Sequence, residues 1–225
     1  MSKQADSVTR STKTVSTPPS PRIRDAEATK LRILEAAKKE FAQNGLEGAR
    51  VDAIALEAQA NKRMIYHYFE SKENLFKVII EQAYLDIRSE EALLNLESLT
   101  PKDAITEFVK FTWNYYLRNP EFITLVNNEN LNKARHIKDS SILREVSKKF
   151  VDRIQAILDK GTQDGTFRAG LDAVQVNITI ASIGYYYLTN SHTGSVIFNR
   201  DFLSKKALQE RLAFNIDTIL RLLCL

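Results

Sequence analysis

The sequence predicts an all-α fold, and three observations support this prediction. Only 7 of the 225 residues are Gly and 5 are Pro, whereas 44% are hydrophobic, which is typical of a regular chain with few loops. Apolar residues recur three and four positions apart along most of the chain, the spacing of one helix face. Several segments begin with helix-capping residues, and no segment of strand length alternates between apolar and polar residues. The length suits one large or two small domains with a real hydrophobic core.

The composition excludes several classes of protein. The single cysteine, Cys224, allows no intramolecular disulfide and no cysteine-based zinc cluster, and it favours a reducing compartment. The first thirty residues contain no apolar run that would serve as a secretory signal, and no window approaches the roughly 18 apolar residues of a membrane helix. We therefore expect a soluble cytoplasmic protein with no membrane partner. Since no metal-ligand spacing or cofactor motif is found, we expect no metal and no cofactor.

The excess positive charge lies at the N-terminus. Residues 1–24 contain five basic residues and one acidic residue, which leaves 27 of each kind in residues 25–225. Residues 7–20 are rich in Ser, Thr and Pro and cannot bury apolar surface, so a disordered basic tail is predicted over residues 1–24. This tail is either a solvated leader or a basic arm that settles on nucleic-acid phosphates. Because the rest of the chain is neutral, any case for nucleic acid must rest on local motifs.

Four helices are predicted in the first part of the chain. They are expected over residues 25–44, 51–58, 62–68 and 71–94. The first carries an apolar stripe formed by Leu31, Leu34, Ala37 and Phe41. It should end at Asn44-Gly45 because glycine commonly terminates helices. Asn61 and Ser71 are suitable N-caps for the third and fourth helices, since their side chains can accept a hydrogen bond from the first turn.

Five more helices are predicted in the remainder. They are expected from Pro101 and Pro120 onward and over residues 140–163, 173–191 and 201–223. Thr100 and Asn119 each precede a proline, which combines a polar cap with the residue best suited to the first helical position. The helix over 173–191 is apolar nearly all round, so it must be covered on several sides. A position inside one chain and a position at an interface between two chains both satisfy this requirement.

The second and third predicted helices form a helix-turn-helix, because they are short and separated by only three residues. Helical hairpins are common, so the pattern alone does not establish a DNA-binding role. The third helix adds a second argument, since its polar residues include Asn61, Lys62, Arg63, Tyr66 and His67, with no acidic residue before Phe69. A helix in the major groove needs donors for base edges and cations for the flanking phosphates.

Three stretches then resemble the N-terminal domain of the tetracycline-repressor (TetR) family. They are Phe41-Ala42-Gln43-Asn44-Gly45, Ile54-Ala55 and the run Tyr66-His67-Tyr68-Phe69-Glu70-Ser71-Lys72-Glu73-Asn74-Leu75. The resemblance covers residues 27–85. Two positions depart from the family pattern: Gln59 replaces a small residue in the turn, and Ala49 replaces a threonine whose hydroxyl contacts a phosphate. Arg50 is expected to supply that contact instead.

The resemblance implies a role for each DNA-facing residue. Arg50 and Val51 would approach the DNA backbone, and Tyr66, His67 and Lys72 would hold phosphates. Asn61 opens the recognition helix, from which Lys62, Arg63 and Met64 would face base edges. Tyr68 and Phe69 are expected to be core aromatics that anchor this helix, and His67 is expected to be a neutral phosphate-side donor rather than a pH switch.

The resemblance also implies a domain division: a DNA-binding domain over residues 25–85 and an all-helical effector-binding and dimerisation domain over residues 86–225. The last two predicted helices would pack against their two-fold mates in a homodimer. Aromatic and amide residues are the candidates for an effector site. They are Phe111, Trp113, Tyr115, Tyr116, Phe122, Asn127, Asn128 and Tyr186, of which Trp113 and Phe122 are preferred. Ordinary core packing is the competing interpretation for each of them.

These expectations combine into one function. The resemblance implies a homodimeric transcriptional regulator, a repressor that binds double-stranded DNA at a palindromic operator and is released by an unknown small-molecule effector. An enzyme is not expected, because the sequence has no P-loop, no nucleotide-binding glycine motif and no HExxH, and its three histidines are scattered. A DNA-binding protein without an effector is the remaining alternative, which a solid core would favour and a closed cavity would oppose.

Overall fold

The computed structural model describes residues 21–225, with side chains described from residue 25 onward. Ten α-helices, one short 3-10 turn over Leu96–Ser98 and no named strand form this part of the chain, which confirms the all-α prediction. The helices are α1 (Pro21–Gly48), α2 (Val51–Glu57), α3 (Lys62–Phe69), α4 (Lys72–Ala92), α5 (Pro101–Arg118), α6 (Pro120–Leu131), α7 (Ser141–Gln163), α8 (Ala173–Thr189), α9 (Ser191–Ile197) and α10 (Lys205–Leu223). Within residues 21–225 no helix has the length and apolarity that crossing a bilayer requires.

The predicted basic tail ends earlier than expected. Residues 1–20 lie outside the described residues, so their predicted disorder stays a prediction. Helix α1 already begins at Pro21, four residues before the predicted start at Asp25. Proline suits the first helical position, because its φ is already helical and the N–H that it lacks would have no partner there.

Helix α1 is interrupted at Gly45, close to the predicted break. Gly45 has φ 65° and ψ 178°, so the backbone leaves the helix there and re-forms one short turn that ends at Gly48. A Cβ at this position would lie 2.5 Å from the Asn128 side-chain oxygen of α6. Glycine therefore serves two purposes here: it adopts the left-handed backbone and lets α6 approach α1 closely.

The first hydrophobic core joins α1, α2, α3 and α4 with buried residues of α5 and α6. We call α1–α3 and the N-terminal half of α4 the head. Its largest fully buried side chains include Ile33, Phe41, Ile54, Leu75, Phe76 and Ile80. Phe41 and Phe76 meet edge to face, with ring centroids 5.2 Å apart. The predicted stripe on α1 was wrong at Leu31, which is 58% exposed; Ile33 and Ala36 are buried in the first core instead.

The second hydrophobic core lies in the body, which we define as α5–α10. It is built from α5, α7, α8 and α10, with Phe108, Ile154, Ile180, Ile219 and Leu223 among its buried members. Helix α4 joins head and body as one continuous helix of 21 residues. The predicted domain boundary at residue 85 therefore falls inside a helix rather than in a linker.

The predicted caps Asn61, Ser71 and Thr100 are confirmed, whereas the predicted cap Asn119 was wrong, because its side chain donates back to the Tyr115 carbonyl. The Thr100 hydroxyl accepts a hydrogen bond from the Asp103 N–H at 3.2 Å and donates one to the Asp103 carboxylate at 2.7 Å, which caps α5. The segment after α8 was predicted less well, since α9 was not predicted and α10 begins at Lys205 instead of Asp201. Ser204 caps α10 by accepting from the Ala207 N–H, a start signal that the apolar pattern did not reveal.

Candidate nucleic-acid interface and ligand cavity

The predicted helix-turn-helix is present in α2 and α3. The Asn61 side chain accepts a hydrogen bond from the Arg63 N–H at 2.8 Å, as its predicted N-cap role requires. The Ala60 N–H donates to the Ala55 carbonyl at 3.0 Å, which closes the turn between the two helices. Ile65 and Phe69 are buried and anchor α3 on the first core, and Tyr68 is half-buried against the same core. The anchoring residues therefore fix which face of α3 points outward.

The turn has one strained position. Gln59 adopts φ 49°, in the left-handed region that a residue with a Cβ enters at a cost of about 1 kcal/mol. This is the position where the family pattern has a small residue and this sequence does not. The helix-turn-helix forms in spite of Gln59, and its backbone geometry explains why a small residue is usual there.

The outward face of α3 carries the predicted base-reading residues. Lys62, Arg63 and His67 are exposed, and Tyr66 is 43% exposed. Met64 is half-buried. This face presents two cations, a phenol and an imidazole without an intervening carboxylate, as the sequence of α3 predicted.

An acidic residue from the neighbouring helix nevertheless reaches this face. The Asp52 carboxylate of α2 lies 2.8 Å from the Lys62 ammonium, and both side chains are largely exposed. The hydrogen bond that Lys62 donates to the Asp52 carboxylate raises the pKa of Lys62. Sequence reasoning missed this pair, because Asp52 and Lys62 belong to different helices and only the crossing of α2 and α3 brings them together.

A cleft of about 480 Å³ lies beside α3, where the N-terminal ends of α2 and α4 converge. It is lined by five residues predicted to be close to DNA, namely Arg50, Val51, Lys62, Tyr66 and Lys72. Three carboxylates also line it, so the cleft is not uniformly positive. Val51 is only 8% exposed, so its side chain offers little surface to a ligand in the cleft.

Lys72 forms contacts within the head. Its ammonium donates to the backbone carbonyls of Glu47 at 3.4 Å and Ala49 at 3.3 Å. These carbonyls flank the end of α1, where backbone oxygens lack helical partners. Lys72 therefore ties the start of α4 to the segment between α1 and α2.

The predicted effector residues fall into separate places. Phe122 is buried and contacts three tyrosine rings, with centroids 5.7 Å from Tyr84, 5.5 Å from Tyr115 and 5.9 Å from Tyr116. Tyr185 joins the group through Tyr116 at 6.3 Å. We call these five residues the aromatic cluster; Tyr115, Tyr116 and Phe122 belong to the first core. Burial raises the pKa of Tyr116 well above its usual range, as expected for a phenol packed among rings.

The other candidates lie around this cluster. Trp113 is 3% exposed and packs on Tyr187, with ring centroids 5.7 Å apart. Phe111 is half-buried and touches both cores. The Asn127 amide oxygen accepts a hydrogen bond from the Tyr185 hydroxyl. Tyr186 was predicted to share this region, but it is 69% exposed because it lies on the outer face of α8.

A cavity of about 670 Å³ lies elsewhere, between the C-terminal half of α4, the segment that follows it and α7. We call it the α4–α7 cavity. Its lining includes Leu85, Arg88, Ala92, Val146, Lys149 and Phe150. None of the predicted effector residues lines it. Sequence reasoning missed it because the lining residues on α4 and α7 are about sixty positions apart and none is unusual by itself.

Charged residues at the α4–α7 cavity are joined in two groups. The Arg88 guanidinium lies 4.2 Å from the centre of the Phe150 ring and 2.5 Å from the carboxylate of Glu91, which is 3% exposed. Burial raises the pKa of Glu91 to about 7, and the nearby Arg88 opposes this shift. Arg153 binds the Glu97 carboxylate and donates to the Glu91 and Leu94 carbonyls, so α7 is tied to the end of α4. Its hydrogen bond lowers the pKa of Glu97 to about 2.

Comparisons with known proteins agree with this architecture. Residues 33–79 match the protein family described as "Bacterial regulatory proteins, tetR family", and residues 101–219 match "Tetracyclin repressor-like, C-terminal domain". The HTH-type transcriptional repressor NicS of Pseudomonas putida is 38% identical over 200 residues, which cover 89% of this chain and 94% of that protein. The chain belongs to the TetR family.

One further relative supports this membership, and one solved structure supports the fold. The HTH-type transcriptional repressor SCO4008 of Streptomyces coelicolor is 41% identical over 103 residues, 46% of this chain and 50% of that protein. The crystal structure of a TetR-family regulatory protein from Rhodococcus RHA1 superposes with a TM-score of 0.68 at 16% identity, covering 88% of this chain and 98% of that one. At this low identity the structural likeness shows the fold alone. Membership of a family of transcriptional regulators confirms the predicted resemblance.

In this TetR-family chain, head and body also meet through a buried polar contact. Glu129 at the end of α6 is 2% exposed, and its carboxylate lies 2.6 Å from Nδ1 of the His136 ring. The backbone N–H of His136 donates to the same carboxylate at 2.8 Å. The His136 ring meets Phe76 of the head edge to face, with centroids 5.1 Å apart. The contact therefore connects the end of α6 with the core beneath α3.

An exposed apolar surface remains on the last helices of this TetR-family chain. Its members on α8 and α10 are Val174, Ile178, Tyr186, Phe214 and Leu222, each at least 37% exposed. Three of them lie at four- and eight-residue spacing on α8 and so form one stripe.

Within residues 21–225 no group of three or more His, Cys, Asp or Glu side chains is arranged to hold a metal ion.

Proposed function

We propose that this protein is a homodimeric transcriptional repressor that binds a palindromic operator and is released by a small-molecule effector. The observation that carries the proposal is α4, a single helix that begins beside the exposed face of α3 and ends in the lining of the α4–α7 cavity. Relatives named as repressors support the direction of regulation. The site of action would be the cytoplasm, where bacterial operators lie.

The head would read DNA with α3. Lys62, Arg63 and Met64 would meet base edges, and Arg50, Tyr66, His67 and Lys72 would meet phosphates, as proposed from the sequence. Asn61 would support them by capping α3. Lys62 must leave Asp52 or share it with DNA, so Arg63, which forms no such pair among the described residues, is the better candidate for bidentate recognition of a guanine.

The stripe on α8 and the exposed residues of α10 would form the dimer interface. A soluble chain rarely leaves contiguous apolar surface uncovered, and two-fold pairing of two helices per subunit would cover it. Such a dimer would set two α3 helices about 34 to 36 Å apart, one turn of B-DNA. The operator would then be palindromic, because the protein has the same two-fold symmetry.

An effector would act by changing the position of α4. A ligand shifts the balance between two conformations only by its difference in affinity for them. Helix α4 contributes to the first hydrophobic core at its N-terminal end and to the α4–α7 cavity at its C-terminal end. A ligand that moves the C-terminal end of α4 relative to α7 would therefore also move the head. The two α3 helices would then no longer match the half-site spacing.

The proposal can be tested by selecting bound fragments from sheared genomic DNA with the purified protein. Affinity for the best fragment is then measured against scrambled DNA over a range of salt concentrations. A palindromic site bound roughly 10³-fold above scrambled DNA would support a specific regulator. Equal and weak binding to every fragment, both alone and with candidate ligands, would contradict the proposal.

A further inference from the structure

We propose that the α4–α7 cavity binds an organic anion with an apolar body, and that Arg88 and Lys149 hold its anionic group. This inference rests on the proposed function, because it names the chemical class of the effector. It differs from the expectation drawn from the sequence, which placed the effector among the aromatic residues of α5 and α6.

The size and walls of the cavity suit a small organic molecule. Its volume of about 670 Å³ falls within the range of roughly 300 to 1,000 Å³ that is typical of ligand pockets. Leu85, Val146 and Phe150 supply apolar surface from both sides. Ligand pockets commonly combine such walls with a few polar groups that fix orientation.

The charges favour an anion. Three cations line the cavity, Arg88, Lys149 and Arg153, against one carboxylate, that of Glu97. Arg153 is already occupied by Glu97 and by two backbone carbonyls, so it serves the structure. The other two cations therefore remain as candidates to hold a ligand.

Arg88 is held in a way that suits recognition. Its guanidinium stacks on Phe150, and Glu91 accepts a hydrogen bond from only one of its terminal nitrogens. Its buried Nε donor has no hydrogen-bond partner among the described residues, an arrangement that usually indicates a missing partner. A carboxylate or sulfonate on the ligand could accept from Nε, because the flat guanidinium binds such groups along its edge.

Lys149 would supply the second positive charge from the rim. Its side chain is 73% exposed and lies 2.7 Å from Glu145, an exposed pair that a ligand can rearrange at little cost. The adjacent Lys148 is equally exposed and is paired in the same way, with Asp152 at 2.6 Å, but it does not line the cavity. The chain thus provides a matched control for the rim charge.

The experiment compares two fluorescent probes with the same apolar body. The first, 8-anilinonaphthalene-1-sulfonate, is an anion; the second, N-phenyl-1-naphthylamine, lacks the sulfonate. Binding of each is titrated with the full-length protein and with the variants Arg88→Met, Lys149→Met, Lys148→Met and Ala92→Trp. Ala92 is exposed and lines the cavity, so tryptophan there fills the cavity without entering a core.

Five results are expected. Arg88→Met weakens binding of the anion by about tenfold or more, since it removes a charged hydrogen bond. Lys149→Met weakens it about two- to fivefold, and Lys148→Met leaves it unchanged. The neutral probe binds all three variants as it binds the original protein. Ala92→Trp weakens binding of both probes, which places them in this cavity.

Other results would overturn the inference. If Arg88→Met binds the anion as tightly as the original protein does, Arg88 holds no ligand. If Lys149→Met and Lys148→Met bind the anion with the same affinity, Lys149 holds none. Undiminished binding of both probes to Ala92→Trp would place them elsewhere. If Arg88→Met does not fold, the two lysine variants and Ala92→Trp still show whether the cavity binds the anion. No DNA is present in these titrations, so failure here leaves the proposed operator binding standing.

Discussion

The two hydrophobic cores of this protein are filled differently. In the first core the rings of Tyr115, Tyr116 and Phe122 pack on one another and continue into the head. The second core borders the α4–α7 cavity through Phe150, whereas no residue of the aromatic cluster lines this cavity. This difference suits the proposed function, in which a tightly packed cluster would transmit a displacement and an unfilled volume would accept a ligand. Tyr116 and Phe122 are accordingly placed to connect head and body.

The strongest test of this contrast is Phe122→Ala, in the middle of the aromatic cluster. Removing a buried ring should lower the free energy of unfolding by about 3 to 5 kcal/mol, since the surrounding rings cannot fully close the space. Denaturant unfolding measures the loss. Leu131→Ala, at an 82% exposed position at the end of the same helix, should change it by less than about 0.5 kcal/mol. Similar values for the two variants would contradict the view that this core is tightly filled.

The second test concerns Glu91, at the edge of the cavity. Its pKa is about 7 in the folded protein, above the ordinary carboxyl value of 4.5. Between these values the folded chain holds a proton that the unfolded chain has released, so the free energy of unfolding falls as pH rises. Glu91→Gln should remove this slope. The free energy of unfolding of the variant minus that of the original protein should therefore grow by roughly 2 to 3 kcal/mol from pH 4 to pH 8.

Denaturant unfolding at several pH values measures this difference. The free energies of unfolding of the wild-type protein and Glu91→Gln should differ least at pH 4, where the carboxyl is largely protonated in both the folded and the unfolded chain. Parallel pH profiles over the whole range would mean that Arg88 keeps Glu91 ionised. The edge of the cavity would then carry less positive charge than the proposed ligand site requires.

The third test moves from the cores to the surface that they support. Arg63→Ala should cost about 1 to 3 kcal/mol of operator affinity and relax sequence preference at one base pair, as expected for the loss of a bidentate contact. Lys72→Ala should weaken binding to all DNA alike and reduce the salt slope by about one. Fluorescence anisotropy with specific and scrambled duplexes separates the two effects. Full sequence preference in Arg63→Lys would disprove bidentate reading by this arginine.

The smallest expected effect belongs to the turn between α2 and α3. Gln59→Gly should raise the free energy of unfolding by roughly 0.5 to 1 kcal/mol, because glycine relieves the left-handed strain at φ 49°. The greater conformational entropy of glycine in the unfolded chain offsets part of this gain. Ala60→Gly provides the control, since Ala60 has no positive φ and should only lose stability. Thermal unfolding compares the two. A lower melting temperature for Gln59→Gly would show that this turn is not strained.

Much of the fold and part of the site were predictable from local chemistry. The N-caps at Asn61, Ser71 and Thr100 depend on side chains within three residues of the backbone groups that they satisfy, so their positions can be read along the chain. The exposed cations of α3 follow in the same way, because helical periodicity separates them from the buried Ile65 and Phe69. Family resemblance over the same residues then supplied the expected function.

The tertiary structure alone decided what lies between helices. The Asp52–Lys62 pair, the exposure of Leu31 and Tyr186, and the volume beside Arg88 all depend on how helices cross. Periodicity shows that a face is apolar, but it does not show which neighbour covers that face or whether the neighbour fills the space. The sequence by itself therefore determined most of the helices, several of their caps and the exposed cationic face of α3. Packing determined where a cavity remains, because only packing sets the distances between residues far apart in the chain.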